Sequence, residues 1–330
     1  MGRKAVGVSV IVCCYNSSLR LPKTLSYLAT QEVAKDQTWE LILVNNNSTD
    51  TTVAVAEQMW KQLGAPVHLT IVEEHQAGLT FARAKGVSVS QYDLLLFCDD
   101  DNWLQADYIQ QTLAIFNSHP DIGALGGWSE AVFEDGKPDW FDRFAGNFAV
   151  GKPMKESGLI HHAQGFLYGA GMVIHKDTFA LLKKIGFKSI LTDRKGKQLS
   201  SGGDVELIYA MKLLGVPVMF SDRLLFYHFM PKERMTWEYL LKLRQSMYWS
   251  NFILNIYIDA LLNKPMSLIW MVKKYLKSIR YIYTKNQQLS TMDNHKKLLL
   301  SNQIAIRRLF LKHPWLYYKT RLSLKKLQNA

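Results

Sequence analysis

The chain has 330 residues, 48% of them hydrophobic, and carries 40 Lys and Arg against 28 Asp and Glu, a formal net charge of +12. That balance excludes a disordered or disulfide-dense chain and suits one large domain, or one domain plus an extension, with a real core. No run of 18 apolar residues occurs, so no membrane-spanning helix is expected.

Arg3 and Lys4 precede VGVSVIVCCY (6–15), a short β-branched run without a small-residue cleavage site. It is expected as a first buried strand rather than a leader. LRLPKTLSYLATQ follows, with Leu21, Leu25 and Leu28 at helical spacing and Asn16 or Ser17 able to cap it. WELILVNNNSTD (39–50) is a strand ending in a polar turn, and Ser48, Thr49 and Asp50 offer the N-cap of a helix over TTVAVAEQMWKQL. VHLTIVEE is a third strand. Gly78 opens a turn before the helix LTFARAKGVSVS, and YDLLLFCDDDN is a strand that ends on three carboxylates.

Strands alternating with helices imply a mostly parallel sheet covered on both faces, with ligands beyond the carboxyl ends of its strands. ADYIQQTLAIFNSH then reads as a helix and IGALGGWSEAVF as a strand with a glycine bend. Residues 134–163 read as an irregular loop over a site. LYGAGMVIHKDTFALLKKIGF is a strand and a helix, SSGGDVELIYAMKLLG a glycine-rich loop entering a helix, and VPVMFSDRLLFYH two short strand-like runs. From Thr236 onward the signal is helical. The cysteines Cys13, Cys14 and Cys98 all sit in apolar runs with no C-x-x-C spacing. They read as buried thiols of a reducing compartment rather than a metal cluster.

Asp99, Asp100 and Asp101 admit three readings on their own: a solvated turn capped by Asn102, an acid/base pair, or a site for a hard divalent cation that shares its oxygens with a substrate diphosphate. Six motifs then agree in order and spacing. VSVIVCCYNSS, LILVNNNSTDTT, GLTFARAKGV, FCDDDNW, GGDVEL and FYH together resemble family 2 glycosyltransferases of the bacterial surface-polysaccharide type, over about residues 6–230. The resemblance implies a GT-A, Rossmann-like α/β fold. It gives a catalytic domain over 1–230, with a nucleotide-sugar half of about 1–103 and an acceptor half of about 104–230. A helical, basic extension follows over 231–330.

Residue roles follow from the same resemblance. Asp204 matches the general base that takes the acceptor proton, although its position at a helix start also suits an N-cap. Asp101 matches the metal ligand, with His228 as its late partner on Mn²⁺ or Mg²⁺. Asp99, with Asp100 in the variable middle position, is placed at the donor. Cys13 and Tyr15 line the nucleoside, and Asn45 stands where an acid usually accepts the uracil N–H. Its amide oxygen is expected to accept that bond instead. Arg83 is expected beside the diphosphate, with an exposed helix position as the alternative, and His228 reads otherwise as a structural residue. Gly169 and Gly171 would let backbone approach the sugar or acceptor, and Trp128, Trp140 and Phe141 are candidates for stacking on it; the glycines read equally as turn residues, and the aromatics as core. The chain departs from the family pattern at Asn45, Asn46 and Gly203, where acids are usual.

Charge divides unevenly: residues 1–222 hold 20 Lys and Arg against 24 Asp and Glu, a net of −4, and residues 223–330 hold 20 against 4, a net of +16. SLIWMVKKYLKSIRYIY (267–283) sets Leu268, Val272, Leu276, Ile279 and Tyr283 on one helical face, with Lys273, Lys277 and Arg280 on another. This resembles an interfacial helix on an anionic membrane; a packed or dimerising extension with solvated lysines is the alternative. No nucleic-acid motif accompanies the charge, and no nucleic acid is expected. The resulting expectation is an inverting, metal-dependent transferase, cytoplasmic and peripheral on the inner face of the membrane. It would move a sugar from a nucleotide donor, UDP-linked, to a hydroxyl of a growing, lipid-linked surface glycan. Two other readings stay open on the residues: a sugar-phosphate nucleotidyltransferase, which the lack of a basic glycine-rich triphosphate loop disfavours, and a non-catalytic nucleotide-sugar binder.

Overall fold

The computed structural model describes residues 7–191, 193, 201–289 and 292–329; Arg3, Lys4, the Val6 start of the first strand and the Ser200 start of the glycine-rich loop lie outside them. The first hundred residues alternate β1 (Gly7–Cys14), α1 (Leu21–Ala29), β2 (Thr38–Asn45), α2 (Thr52–Gln62), β3 (Leu69–Glu73), α3 (Leu79–Val89) and β4 (Leu94–Asp99). The next stretch holds β5 (Asn102–Leu104), α4 (Tyr108–Ser118), β6 (Ala124–Phe133), the single turn α5 (Phe141–Phe144), β7 (Gly158–Leu159), β8 (Val173–His175), α6 (Lys176–Lys184), α7 (Gly203–Leu213) and β9 (Val218–Met230). Among the described residues that follow, four α-helices are formed: α8 (Trp237–Leu261), α9 (Leu268–Leu289), α10 (Asn294–Lys312) and α11 (Pro314–Gln328).

The strands form one sheet in the order β3-β2-β1-β4-β8-β6-β9-β5, with β7 paired to β9. Its first half, β3-β2-β1-β4, is wholly parallel. These strands are covered on both faces, which is why they read as unbroken apolar runs: Val8, Val10, Ile11, Leu41, Ile42, Leu43, Leu94, Leu95 and Leu96 are all buried. The second half is mixed, with β8 antiparallel to β4 and β6, and β6 parallel to β9. VMFSDRLLFYH, part of a stretch expected as two runs, lies within the one 13-residue strand β9. A register shift opposite Gly126 and Trp128 absorbs the polar Ser221–Arg223 interruption.

Register places the site. Cys13 pairs with Asp99, Cys14 with Asn45, and Asn45 with Glu73, so β1, β2, β3 and β4 end side by side. The chain turns at Asp100 and Asp101 into β5, where Asn102 pairs with His228 of β9. The helical extension is packed against this body: Phe252, Ile253, Ile256 and Tyr257 of α8, Phe310 of α10 and Tyr317 and Leu324 of α11 share a core with Ile11, Leu95 and Ile174 of the sheet.

Candidate active site

Asp204 opens α7, one residue after Gly203. Its Oδ2 accepts the Gly169 backbone N–H at 2.7 Å and its Oδ1 that of Val205 at 2.8 Å. Burial and the nearby Asp193 carboxylate push its pKa up to about 6, against the pull of the Arg83 guanidinium. A Cβ on Gly169 would lie 2.6 Å from Asp204 Oδ2 and 3.1 Å from Arg83 Nη2, so only glycine lets this backbone reach both groups. The close approach made by Gly169 is thus to Asp204 and Arg83.

Arg83, on α3, links the two halves of the site. Its guanidinium lies over the Phe97 ring at 5.4 Å, with Nη2 3.9 Å from Asp99 Oδ1 and Nη1 3.5 Å from Asp193 Oδ2. Asp193 escaped the sequence reading. Its Oδ1 accepts the Gly203 N–H at 2.9 Å, and a Cβ on Gly203 would stand 2.8 Å from its carboxylate. The acid missing at position 203 is replaced in space by one ten residues upstream.

The three consecutive carboxylates separate. Asp101 is buried, with Oδ1 3.6 Å from His228 Nε2 and Oδ2 accepting from Arg234 Nη1 at 3.1 Å. Asp100, partly buried, is bound to Arg20 Nη2 at 2.6 Å, and its backbone oxygen accepts from the Thr24 hydroxyl. Its role is to clasp α1 to the end of β4, a contact across 80 residues of sequence.

Asn45 is held by partners within the protein. Its Oδ1 accepts the Ser48 N–H, and its Nδ2 donates to both oxygens of Glu73, at 3.0 and 2.9 Å. The charge lost at Asn45 reappears on Glu73, an exposed carboxylate on the next strand. Asn46 is consumed locally, donating to the Glu74 and Gln76 carbonyls and accepting from Gly78 N–H. Tyr15, half exposed, stands at the open end of β1, and burial holds the Cys13 thiol up at about 12.

Four residues singled out for the sugar or acceptor make contacts within the protein. Gly171 sits inside the core, donating its N–H to Phe97 O and accepting from the Tyr108 hydroxyl at 2.6 Å, so it offers no backbone to a sugar. Trp128 donates its indole N–H to Asp222 O beneath Lys152. Trp140 packs on Phe148 and Trp237, and Phe141 on Phe148. Glu206 is a buried anchor, accepting from Ser189, from the Ile190 and Leu191 N–H groups and from the Tyr257 hydroxyl.

Among the described residues no three His, Cys, Asp or Glu side chains gather as a metal cluster. Asp101 and His228 do converge, and one carboxylate with one imidazole fits Mn²⁺ or Mg²⁺ when substrate phosphate oxygens complete the shell. Arg234 lies against the same carboxylate.

A mixed sheet whose parallel strands end at carboxylates, with the Asp204 carboxyl raised to about 6 beside an arginine, fits the GT-A class of folds. The model of the glycosyl transferase family 2 domain matches residues 9–190, more than half the chain, and the chain belongs to that family. It is 24% identical over 244 residues to the succinoglycan biosynthesis protein ExoM of Rhizobium meliloti (strain 1021), a match covering 74% of each chain. It spans 32% and 58% of the length of two other curated relatives. The mannosyltransferase PcManGT from Pyrobaculum calidifontis, solved with GDP-Man and Mn²⁺, shares its fold with a TM-score of 0.53 at 16% identity, covering 92% of this chain and 86% of that one. TarS residues 1–349 of Staphylococcus aureus with UDP-GlcNAc gives a TM-score of 0.50 at 17% identity, covering 77% and 70%.

Proposed function

We propose that this chain is an inverting glycosyltransferase dependent on Mn²⁺ or Mg²⁺. It moves a sugar from a nucleotide donor, UDP-linked, to a hydroxyl of a growing, lipid-linked surface glycan. Residues 1–103 serve the donor, 104–230 the acceptor, and 231–330 hold the protein on the inner, anionic face of the membrane. ExoM, a polysaccharide biosynthesis protein by name, and the UDP-GlcNAc complex of TarS support the substrate class.

The single observation that carries the reading is Asp204. A carboxylate with a pKa of about 6 is a base matched to neutral pH, because it is ionised at work yet still holds a proton well. Asp204 takes the proton of the acceptor hydroxyl as that oxygen attacks the anomeric carbon. Direct displacement needs one base and no covalent intermediate, and it inverts the centre. Arg83 keeps a positive charge between donor and base, offsetting the charge that builds on the departing diphosphate. Asp101 and His228 hold the cation, which supplies further neutralisation of that leaving group when bound. Tyr15 offers an exposed ring for the base, and Glu73 an acceptor for its N–H.

The test is donor hydrolysis and transfer by wild type and Asp204→Asn, with nucleotide binding measured alongside. Loss of general base catalysis lowers transfer by about 10²- to 10⁴-fold with nucleotide affinity retained. Equal rates remove Asp204 as the base.

A further inference from the structure

Helix α9 is 22 residues long, and Ser278 is its one buried residue. Leu268 is 80% exposed, Leu276 60% and Tyr283 68%, and Ile269, Val272 and Ile279 are exposed with them. At about 100° per residue these six side chains fall in one arc of roughly 100°. Lys273, Lys277 and Arg280 occupy the adjoining arc. Beyond them, Trp270, Lys274, Ser278 and Tyr281 turn into a cavity of about 610 Å³ between α8, α9, α10 and α11. Two lysines therefore stand between an uncovered apolar face and the mouth of a cavity.

The cavity is cationic. Lys264, Lys273, Lys274, Lys277 and Arg307 line it against the single carboxylate of Asp259. Asp259 is already bound by Lys274 and by the Tyr317 hydroxyl at 2.7 Å. Among the described residues Lys264, Lys273 and Lys277 have no carboxylate partner. The floor is aromatic: the Lys274 ammonium lies 4.9, 5.3 and 4.4 Å from the ring centres of Trp270, Phe310 and Tyr317.

We propose that this cavity receives the phosphate of an anionic phospholipid headgroup, while α9 lies in the membrane surface with its apolar arc among the acyl chains. The proposal rests on the membrane contact in the reading above and assigns it a specific site. Charge and apolarity must both be met by the occupant. A second copy of this chain would set one region of net +16 on another. A nucleic acid would leave six apolar side chains in water. A lipid leaflet meets both demands, with apolar chains beneath anionic phosphates.

Flotation of the full chain with vesicles tests this. Wild type is expected to float with phosphatidylcholine–phosphatidylglycerol vesicles and not with phosphatidylcholine alone. Lys273→Gln/Lys277→Gln, both exposed positions, is expected to weaken binding about 10- to 30-fold. Lys325→Gln/Lys326→Gln removes equal charge from exposed positions at the end of α11 and is expected to cost less than about threefold. Equal losses in the two pairs overturn the cavity while leaving membrane contact standing. Failure of wild type to float, or self-association in place of flotation, overturns the contact itself. Donor binding by the same preparations reports separately on the transferase site.

Discussion

The carboxylate of Asp193 fills the space that a side chain on Gly203 would need, 2.8 Å from where its Cβ would stand, and accepts the Gly203 N–H. The pair acts as an exchange: the helix start gave up its own acid and a loop returned one. Gly203→Glu is therefore expected to expel Asp193, loosen Arg83 and lower kcat/KM at least about tenfold, roughly the energy of one hydrogen bond to a charged group. Asp193→Gly in the same chain should recover much of that loss. Steady-state kinetics of the single and double variants check it; an additive second loss refutes the exchange.

Activity should rise with pH through the titration of Asp204. The base form exists above its pKa of about 6, so kcat/KM should fall about tenfold per unit below pH 6 and flatten above 7. The acid limb belongs to this group if it disappears from the residual activity of Asp204→Asn.

The same shift has the opposite sign for stability. The pKa of Asp204 is raised from 3.8 to about 6 in the folded protein, so its contribution is fully present below pH 3.8 and is lost as pH rises through 6. Ionised Asp204 thus costs on the order of 3 kcal/mol at neutral pH. Asp204→Asn should melt a few degrees higher than wild type at pH 7.5 and no higher at pH 4, while losing transfer. Melting curves at the two pH values decide this.

Donor recognition should depend on Glu73. Glu73→Gln is expected to weaken binding of a uridine nucleotide about tenfold, the loss of one charge-assisted hydrogen bond. Asn45→Asp, although it restores the family's usual acid, would set two carboxylates about 3 Å apart and should weaken binding and stability together. Calorimetric titration with UDP tests both. Tighter binding by Asn45→Asp would remove Glu73 from the base site.

The parallel half of the sheet was legible because burial on both faces leaves an apolar run with a polar end, as in Leu94–Asp99. Asp204, Asp101, His228 and Arg83 were singled out by their motifs; Arg83 lies near Asp204, and His228 near Asp101. Asp193 was invisible because its partners, Arg83 and Gly203, are 110 and 10 residues away and no period marks a loop acid. The clasp of Asp100 on Arg20 is likewise a long-range pairing that only the closed sheet creates. Gly171 misled because a glycine needed for a positive φ of 69° in the core looks in sequence like one lining a site. The α9 stripe was legible, since exposure on one face follows the helical period; the cavity behind it was not, because it needs three other helices.

The Tyr257 hydroxyl of α8 donates to Glu206 at 2.6 Å, and Glu206 in turn accepts the N–H groups of Ile190 and Leu191, two residues before Asp193. Severing the chain after Met230 would strand an ionisable group in a dry interior and let go of the loop that steadies Arg83. Helix α8 is thus a buttress for the chemistry, and a version cut before Tyr257 should be catalytically crippled even in free solution.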